Sequence, residues 1–272
     1  MSSPVKPIST HHTKLIKHFL RMHKLEKLVK KTLTLIIVLF ALFGCSGNKL
    51  AKTMPVEKKM EIANDLFENE KFSKAIPYYT EVVFERNSVY TPIAQMKLAD
   101  CYFNQNKFTE ARFEYQELIR LFSDYKDIGR AYFQLGICYY NESLNPHYTQ
   151  DETNRAISAF ETFIEKFPFD SLKKEAIDYI QKCRYKLLMK SYYNGYAYYK
   201  LYDYSGALMY FDEIIELGNN NEPDRMSLYY ATKIYLARDD FEKAKLTGEK
   251  LISRYPQTEE AEKITSELEK IK

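Results

Sequence analysis

The sequence has no tryptophan, and its 272 residues include only eight glycines, nine prolines and four cysteines. So little glycine and proline, without any period, excludes a collagen-like or low-complexity chain. No CxxC spacing occurs and no histidine accompanies the cysteines, which removes the common metal and redox patterns. Phosphate-binding glycine loops, HExxH and GxSxG segments are also absent. After residue 44 the chain holds a single histidine, His147 beside Pro146. Catalytic triads and most zinc sites need a histidine with partners. His147 is therefore read as a solvated loop residue, and the sequence predicts no enzyme, no cofactor and no metal site.

What is present is aromatic and unevenly charged. With 24 Tyr and 17 Phe, the core must be built from rings other than indole. The formal charge is +3, yet residues 1–44 carry eight Lys/Arg against one acid, Glu26. The remainder is net acidic, which argues against a nucleic-acid-binding surface.

Residues 1–44 read as a targeting segment. Lys24, Lys27, Lys30 and Lys31 precede an apolar run, Leu33–Phe43, followed by Gly44-Cys45-Ser46-Gly47. As a helix that run spans about 16 Å, roughly half a bilayer core, so it suits a signal peptide better than a membrane span. Leu42-Phe43-Gly44-Cys45 resembles the lipobox of bacterial lipoproteins, which makes Cys45 the expected lipidation site. An ordinary signal peptide with an incidental cysteine is the alternative. Translation starts at Met1 or at Met22, the latter sitting better before the basic run. Cys101, Cys138 and Cys183 lie among apolar residues at helical spacing and are expected to be buried free thiols.

From about Glu57 apolar residues recur at intervals of three and four, and nothing alternates in twos for long. Ile157, Phe160, Phe163, Ile164 and Phe167 form one such stripe. Breaks fall at 69–71, 104–106, 218–221 and 238–240, and Pro168, Pro223 and Pro256 mark helix ends. Small residues recur as pairs at one interval: Ala63 with Ala75, Ala99 with Ala111, Gly195 with Ala207 and Thr232 with Ala244. Gly136 with Ala156 is the same pair stretched by an insertion around 141–148. Large residues follow at fixed offsets, Leu66, Tyr102, Tyr139, Tyr198 and Tyr235 after the first small residue. Tyr79, Tyr115, Phe160 and Phe211 follow the second, where Gly248 is out of pattern. Antiparallel helices approach to 8–10 Å only where side chains are small, and large neighbours then fill the groove.

Five such pairs resemble the tetratricopeptide repeat (TPR) over about 57–260. The expected fold is an all-α solenoid of five helix–turn–helix repeats. From Pro168 to Gly195 the chain runs farther than between other repeats, without glycine or proline in 171–189. This predicts one extended helix over 171–200. The expected organisation is a signal peptide at 1–44, a lipidated linker at 45–56, three repeats at 57–168, and the long helix with two repeats at 169–272. In a TPR array the first helices line a concave face. The register puts Met60 and Phe67, Met96 and Phe103, and Arg130, Phe133 and Tyr140 on it, a trough suited to an apolar or aromatic peptide. Each ring is equally compatible with packing between repeats. Arg130 has two readings, a peptide carboxylate or an intramolecular glutamate.

The lipobox cysteine, five repeats, the insertion in repeat three and the long helix together resemble the BamD family, lipoproteins of the outer-membrane β-barrel assembly complex. Phe167–Ala176, Lys190–Tyr199 and Asp203–Leu208 carry the likeness most clearly. The resemblance implies a lipid anchor at the periplasmic face of the outer membrane. It implies N-terminal repeats that meet the C-terminal strands of nascent barrel proteins, and C-terminal repeats that dock on a BamA-like insertase. Ser46, rather than Asp, follows the cysteine, which implies outer-membrane sorting. The alternative is another TPR lipoprotein, such as a pilotin for a secretin or pilus, although these run as uniform repeat stacks.

Overall fold

The computed structural model describes residues 54–86 and 88–271. The leader, the alternative starts and the lipobox with Cys45 lie outside them. Among the described residues there are eleven α-helices and no strand. They form five pairs: α1 (Val56–Glu68) with α2 (Phe72–Phe84), α3 (Thr91–Asn104) with α4 (Phe108–Leu121), α5 (Ile128–Glu142) with α6 (Asp151–Lys166), α7 (Lys173–Lys200) with α8 (Tyr204–Leu217), and α9 (Glu222–Ala237) with α10 (Phe241–Arg254). A last helix, α11 (Glu259–Glu269), follows Pro256. No described helix is long and apolar enough to cross a membrane.

Four of the five turns within pairs are built alike. Glu70, Asn106, Tyr202 and Asp239 sit at positive φ, between 57° and 60°. The next amide reaches back to a helix carbonyl: Lys71 to Leu66, Lys107 to Tyr102, Asp203 to Tyr198 and Asp240 to Tyr235. This is the hydrogen bond that closes a helix end by a left-handed residue, and it satisfies carbonyls that would otherwise be orphaned. The third pair departs, because the inserted residues between Glu142 and Asp151 replace the tight turn.

Every small position of the sequence register is buried, Ala63, Ala75, Ala99, Ala111, Ala156, Ala207 and Ala244 completely. Tyr79, Tyr115, Phe160 and Phe211 are also fully covered, each filling the groove beside a small residue. At Gly136 a Cβ would stand 2.6 Å from the Phe160 ring, and at Gly195 2.8 Å from Phe211. Glycine at these two places therefore answers to a close helix approach. Gly248 has the same cause from another direction: its Cβ would meet Ile264 at 2.8 Å and Leu268 at 2.9 Å, both on α11.

The core runs as a sequence of linked clusters. Ala94, Leu98 and Cys101 of α3 pack with repeat one, whereas Met96 and Ala99 of the same helix pack with repeat two. Each repeat thus covers its predecessor, as stacking of units that cannot bury their own faces requires. The long helix does this twice. Its first half, Ala176, Ile180 and Cys183, closes repeat three, and its second half, with Tyr192, opens repeat four. At 28 residues it is about 42 Å long.

Candidate functional site

The first helices α1, α3 and α5 carry the residues expected to line a peptide trough, and the structure divides them. Met60, Met96 and Phe133 are only 5%, 3% and 4% exposed. Phe133 is enclosed by the rings of Phe160, Phe163 and Tyr179 at 5.7, 5.6 and 6.4 Å. These three belong to the core between repeats and offer almost no surface to a ligand, so the trough is smaller than the sequence register suggests. Apolar periodicity identifies the inward stripe, and on these helices that stripe serves the neighbouring repeat.

Phe67, Phe103 and Tyr140 keep half-buried rings. Phe67 meets Phe72 edge-on at 5.3 Å and carries the Lys97 ammonium 3.9 Å above its ring. Phe103 meets Phe108 at 5.5 Å, and Tyr140 meets Tyr179 at 4.9 Å with Lys186 Nζ 5.2 Å from its ring. Aromatic rings beside lysines form a surface both apolar and cationic.

Arg130 has its own partner, and it is an aspartate rather than a glutamate. Its Nη2 donates to Asp100 Oδ1 at 2.7 Å, and the Tyr115 hydroxyl donates to the same oxygen at 2.7 Å. Asp100 is buried while Arg130 reaches solvent. Burial acts to lower the Arg130 guanidinium, but the adjacent Asp100 carboxylate outweighs it and holds the group above its ordinary range. Burial first, and then Asp100, pushes the Tyr115 phenol well up. Arg130 is thus a neutralising partner for a buried acid before it is a ligand for anything else.

A larger aromatic cluster lies on repeats four and five, with Tyr192 buried in the core and the other rings half-buried. Tyr192, Tyr196 and Tyr199 of α7 follow one helix face, and Tyr230 of α9 stands against Tyr196 at 5.1 Å and Tyr199 at 4.8 Å. Tyr229 extends the group, 5.1 Å from Tyr230. The intervals 192, 196 and 199 were visible as a helical stripe of tyrosines, and the pairing with α9 was not.

His147 is not free in its loop. Its ring stacks on Tyr193 at 3.9 Å, its carbonyl accepts from Lys190 Nζ at 3.1 Å, and Lys186 Nζ donates to Ser143 Oγ at 2.5 Å. The inserted loop of repeat three is therefore fastened along the middle of α7. Among the described residues no group of three His, Cys, Asp or Glu side chains is placed to hold a metal ion. Cys101, Cys138 and Cys183 are free, buried thiols.

In sequence the chain is similar to the outer membrane protein assembly factor BamD of Caulobacter vibrioides, with 22% identity over 233 residues, 83% of this chain and 76% of that protein. In structure it is similar to the TPR2AB domain of yeast Sti1 in its pHSP90 complex, with 14% identity, a TM-score of 0.43 and coverage of 76% and 80% of the two chains. A tetratricopeptide repeat protein from Parabacteroides merdae matches at 16% identity and a TM-score of 0.35, over 77% and 72% of the two chains. Two sequence profiles, both described as tetratricopeptide repeat, match residues 60–126 and residues 130–170 and 226–258. Taken with five helix pairs in one register, the two profile matches make the chain a member of the tetratricopeptide-repeat family, whose stacked helices serve as a scaffold for protein–protein interaction.

Proposed function

We propose that this scaffold is the BamD-like component of an outer-membrane β-barrel assembly complex, anchored through lipid on Cys45 at the periplasmic face. Its N-terminal repeats receive the C-terminal strands of unfolded barrel proteins, and its repeats after residue 190 dock on the periplasmic domains of a BamA-like insertase. The observation that carries this reading is the match to BamD, which runs over 83% of the chain rather than over isolated repeats. The extended helix α7, the lipobox-like Leu42–Cys45 and the half-buried Phe67, Phe103 and Tyr140 support it. No chemical step is assigned; the work is recognition and placement.

The test is co-purification with the host's BamA-like protein from outer membranes, comparing wild type with Cys45→Ala. Wild type should fractionate with the outer membrane and retain the insertase. Cys45→Ala should leave the membrane, because anchoring needs several acyl chains at about 0.8 kcal/mol per buried CH₂, yet should still bind the insertase's isolated periplasmic domains. Absence of that binding in both proteins would discard the assembly-complex reading, and persistence of Cys45→Ala in the membrane after a high-salt wash would discard the lipid anchor.

A further inference from the structure

Residues of α2, α3 and α4, in repeats one and two, line a cleft of about 350 Å³ that includes none of the residues expected to form the trough. Its rim is formed by Phe84, Phe113 and Leu121, which are 73%, 59% and 48% exposed. Single exposed hydrophobic residues are common, but three large ones around one cleft form a patch of the kind that marks an interaction site. Among them stands Glu114, half-buried, with its carboxylate at the cleft.

The charges around Glu114 are asymmetric. Its neighbour Glu117 is held by Arg120, whose Nε donates at 3.0 Å. That hydrogen bond, opposed by slight burial and helped by Arg86, keeps the Glu117 carboxyl below its usual range. Glu114 has no such cation: among the described residues the Gln95 amide is the one side chain that donates to its carboxylate. Burial raises its pKa, the Gln95 bond opposes this and Glu117 adds to it. Arg86 also lines the cleft, but its charge acts on Glu117 and not on Glu114. A half-buried carboxylate without an opposing charge of its own favours the arrival of one, since partial removal from water strengthens the pairing. An anionic membrane surface would be repelled by such a group, and the cleft has room for only one or two side chains.

We propose that this cleft docks a segment of a partner protein in which a lysine or arginine stands beside an aliphatic or aromatic side chain. The apolar group would lie against Phe84, Phe113 and Leu121, and the cation would end on Glu114. The inference rests on the chain being an interaction scaffold, and does not depend on which assembly it serves.

A phage-displayed library of random dodecapeptides, panned on the purified chain and counter-selected on Glu114→Gln, tests it. Enriched peptides should carry Lys or Arg next to Leu, Ile or Phe. By fluorescence polarisation, a synthetic winner should bind Glu114→Gln and Phe113→Ser at least tenfold more weakly than wild type. Replacing the peptide's cation with glutamine should cost the same factor on wild type and nothing further on Glu114→Gln. Both variants should keep wild-type circular dichroism and unchanged affinity for a barrel-protein terminal-strand peptide, which separates failure here from failure of the assembly reading. Peptides that bind Glu114→Gln equally well, an enriched set without a cation, or no enriched set would each overturn the proposal. So would a concentration-dependent dimer abolished by Glu114→Gln, which would give the cleft to a second copy of this chain.

Discussion

The Tyr115 hydroxyl donates to Asp100 Oδ1 at 2.7 Å, and one repeat earlier Tyr79 donates to Asn64 Oδ1 at 2.8 Å across the same sequence interval. In repeat three the corresponding residues are Phe160 and Ile137, both in one apolar cluster. The donor and its acceptor are lost together, so neither is left orphaned in the groove between paired helices. The pair beside the small residues is thus a unit, polar in repeats one and two and apolar in repeat three.

The two polar pairs differ in what surrounds the acceptor, and this gives a graded expectation. Asp100 is buried, whereas Asn64 is exposed. Tyr115→Phe removes one of the two side chains holding a buried carboxylate and should cost about 1–3 kcal/mol. Tyr79→Phe leaves an amide that water can serve and should cost no more than about 1 kcal/mol. Urea unfolding of the two variants measures the difference; equal costs would show that Asp100 is served by solvent.

Gly136→Ala sets helix propensity against packing. Alanine gains about 1 kcal/mol in a helix interior. The added methyl would stand 2.6 Å from the fully buried Phe160 ring, which has nowhere to move. Overpacking of this kind costs roughly 1–3 kcal/mol, so the net effect should be destabilising. Combining it with Phe160→Leu should recover part of the loss by making room. A Gly136→Ala variant that melts above wild type would refute the close approach of α5 and α6.

The sequence carried much of this architecture because its signals are local. Small residues at one interval fixed the repeat register, and an uninterrupted helical pattern marked α7, which spans Lys173–Lys200 within the expected 171–200. What it did not carry depends on contacts distant in the chain. Asp100 and Arg130 meet across thirty residues, and Lys186 reaches Ser143 across 43. Periodicity separated apolar from polar faces, but could not tell whether Met60, Met96 and Phe133 faced a groove or the next repeat. The helix α11 left one trace, Gly248, where a ring was due.

The thiols give a pH expectation. Burial pushes Cys101 and Cys138 up to about 12 and Cys183 up to about 11. The unfolded thiol titrates near 8.5. Because the folded values are raised, the stabilising contribution is fully present below about pH 8.5 and is lost as pH rises toward 11–12. In a Cys45→Ser background, a thiol reagent at pH 8 should therefore leave the native chain nearly unlabelled and modify three cysteines in denaturant. Rapid native labelling would place at least one thiol near solvent.

The partition of the first-helix face changes what a peptide experiment should use. Under the assembly reading, a barrel protein's terminal strand offers aromatic side chains on one face and a free carboxylate. Phe103 and Tyr140 retain surface, so Phe103→Ala with Tyr140→Ala should weaken binding of a terminal-strand peptide at least tenfold. That factor is about 1.4 kcal/mol, a modest share of what two aromatic contacts provide when part of each ring is already covered. Phe133→Ala should instead act on stability, costing about 3–5 kcal/mol as a cavity in the core. Arg130 is already paired with Asp100, so an amidated peptide should bind within about twofold of the free acid, the Asp100 carboxylate having answered the charge. A fluorescence titration with both peptides decides these points together. A tenfold preference for the free acid would return Arg130 to the ligand. Unchanged affinity in the double variant would move the substrate to the tyrosines of α7 and α9.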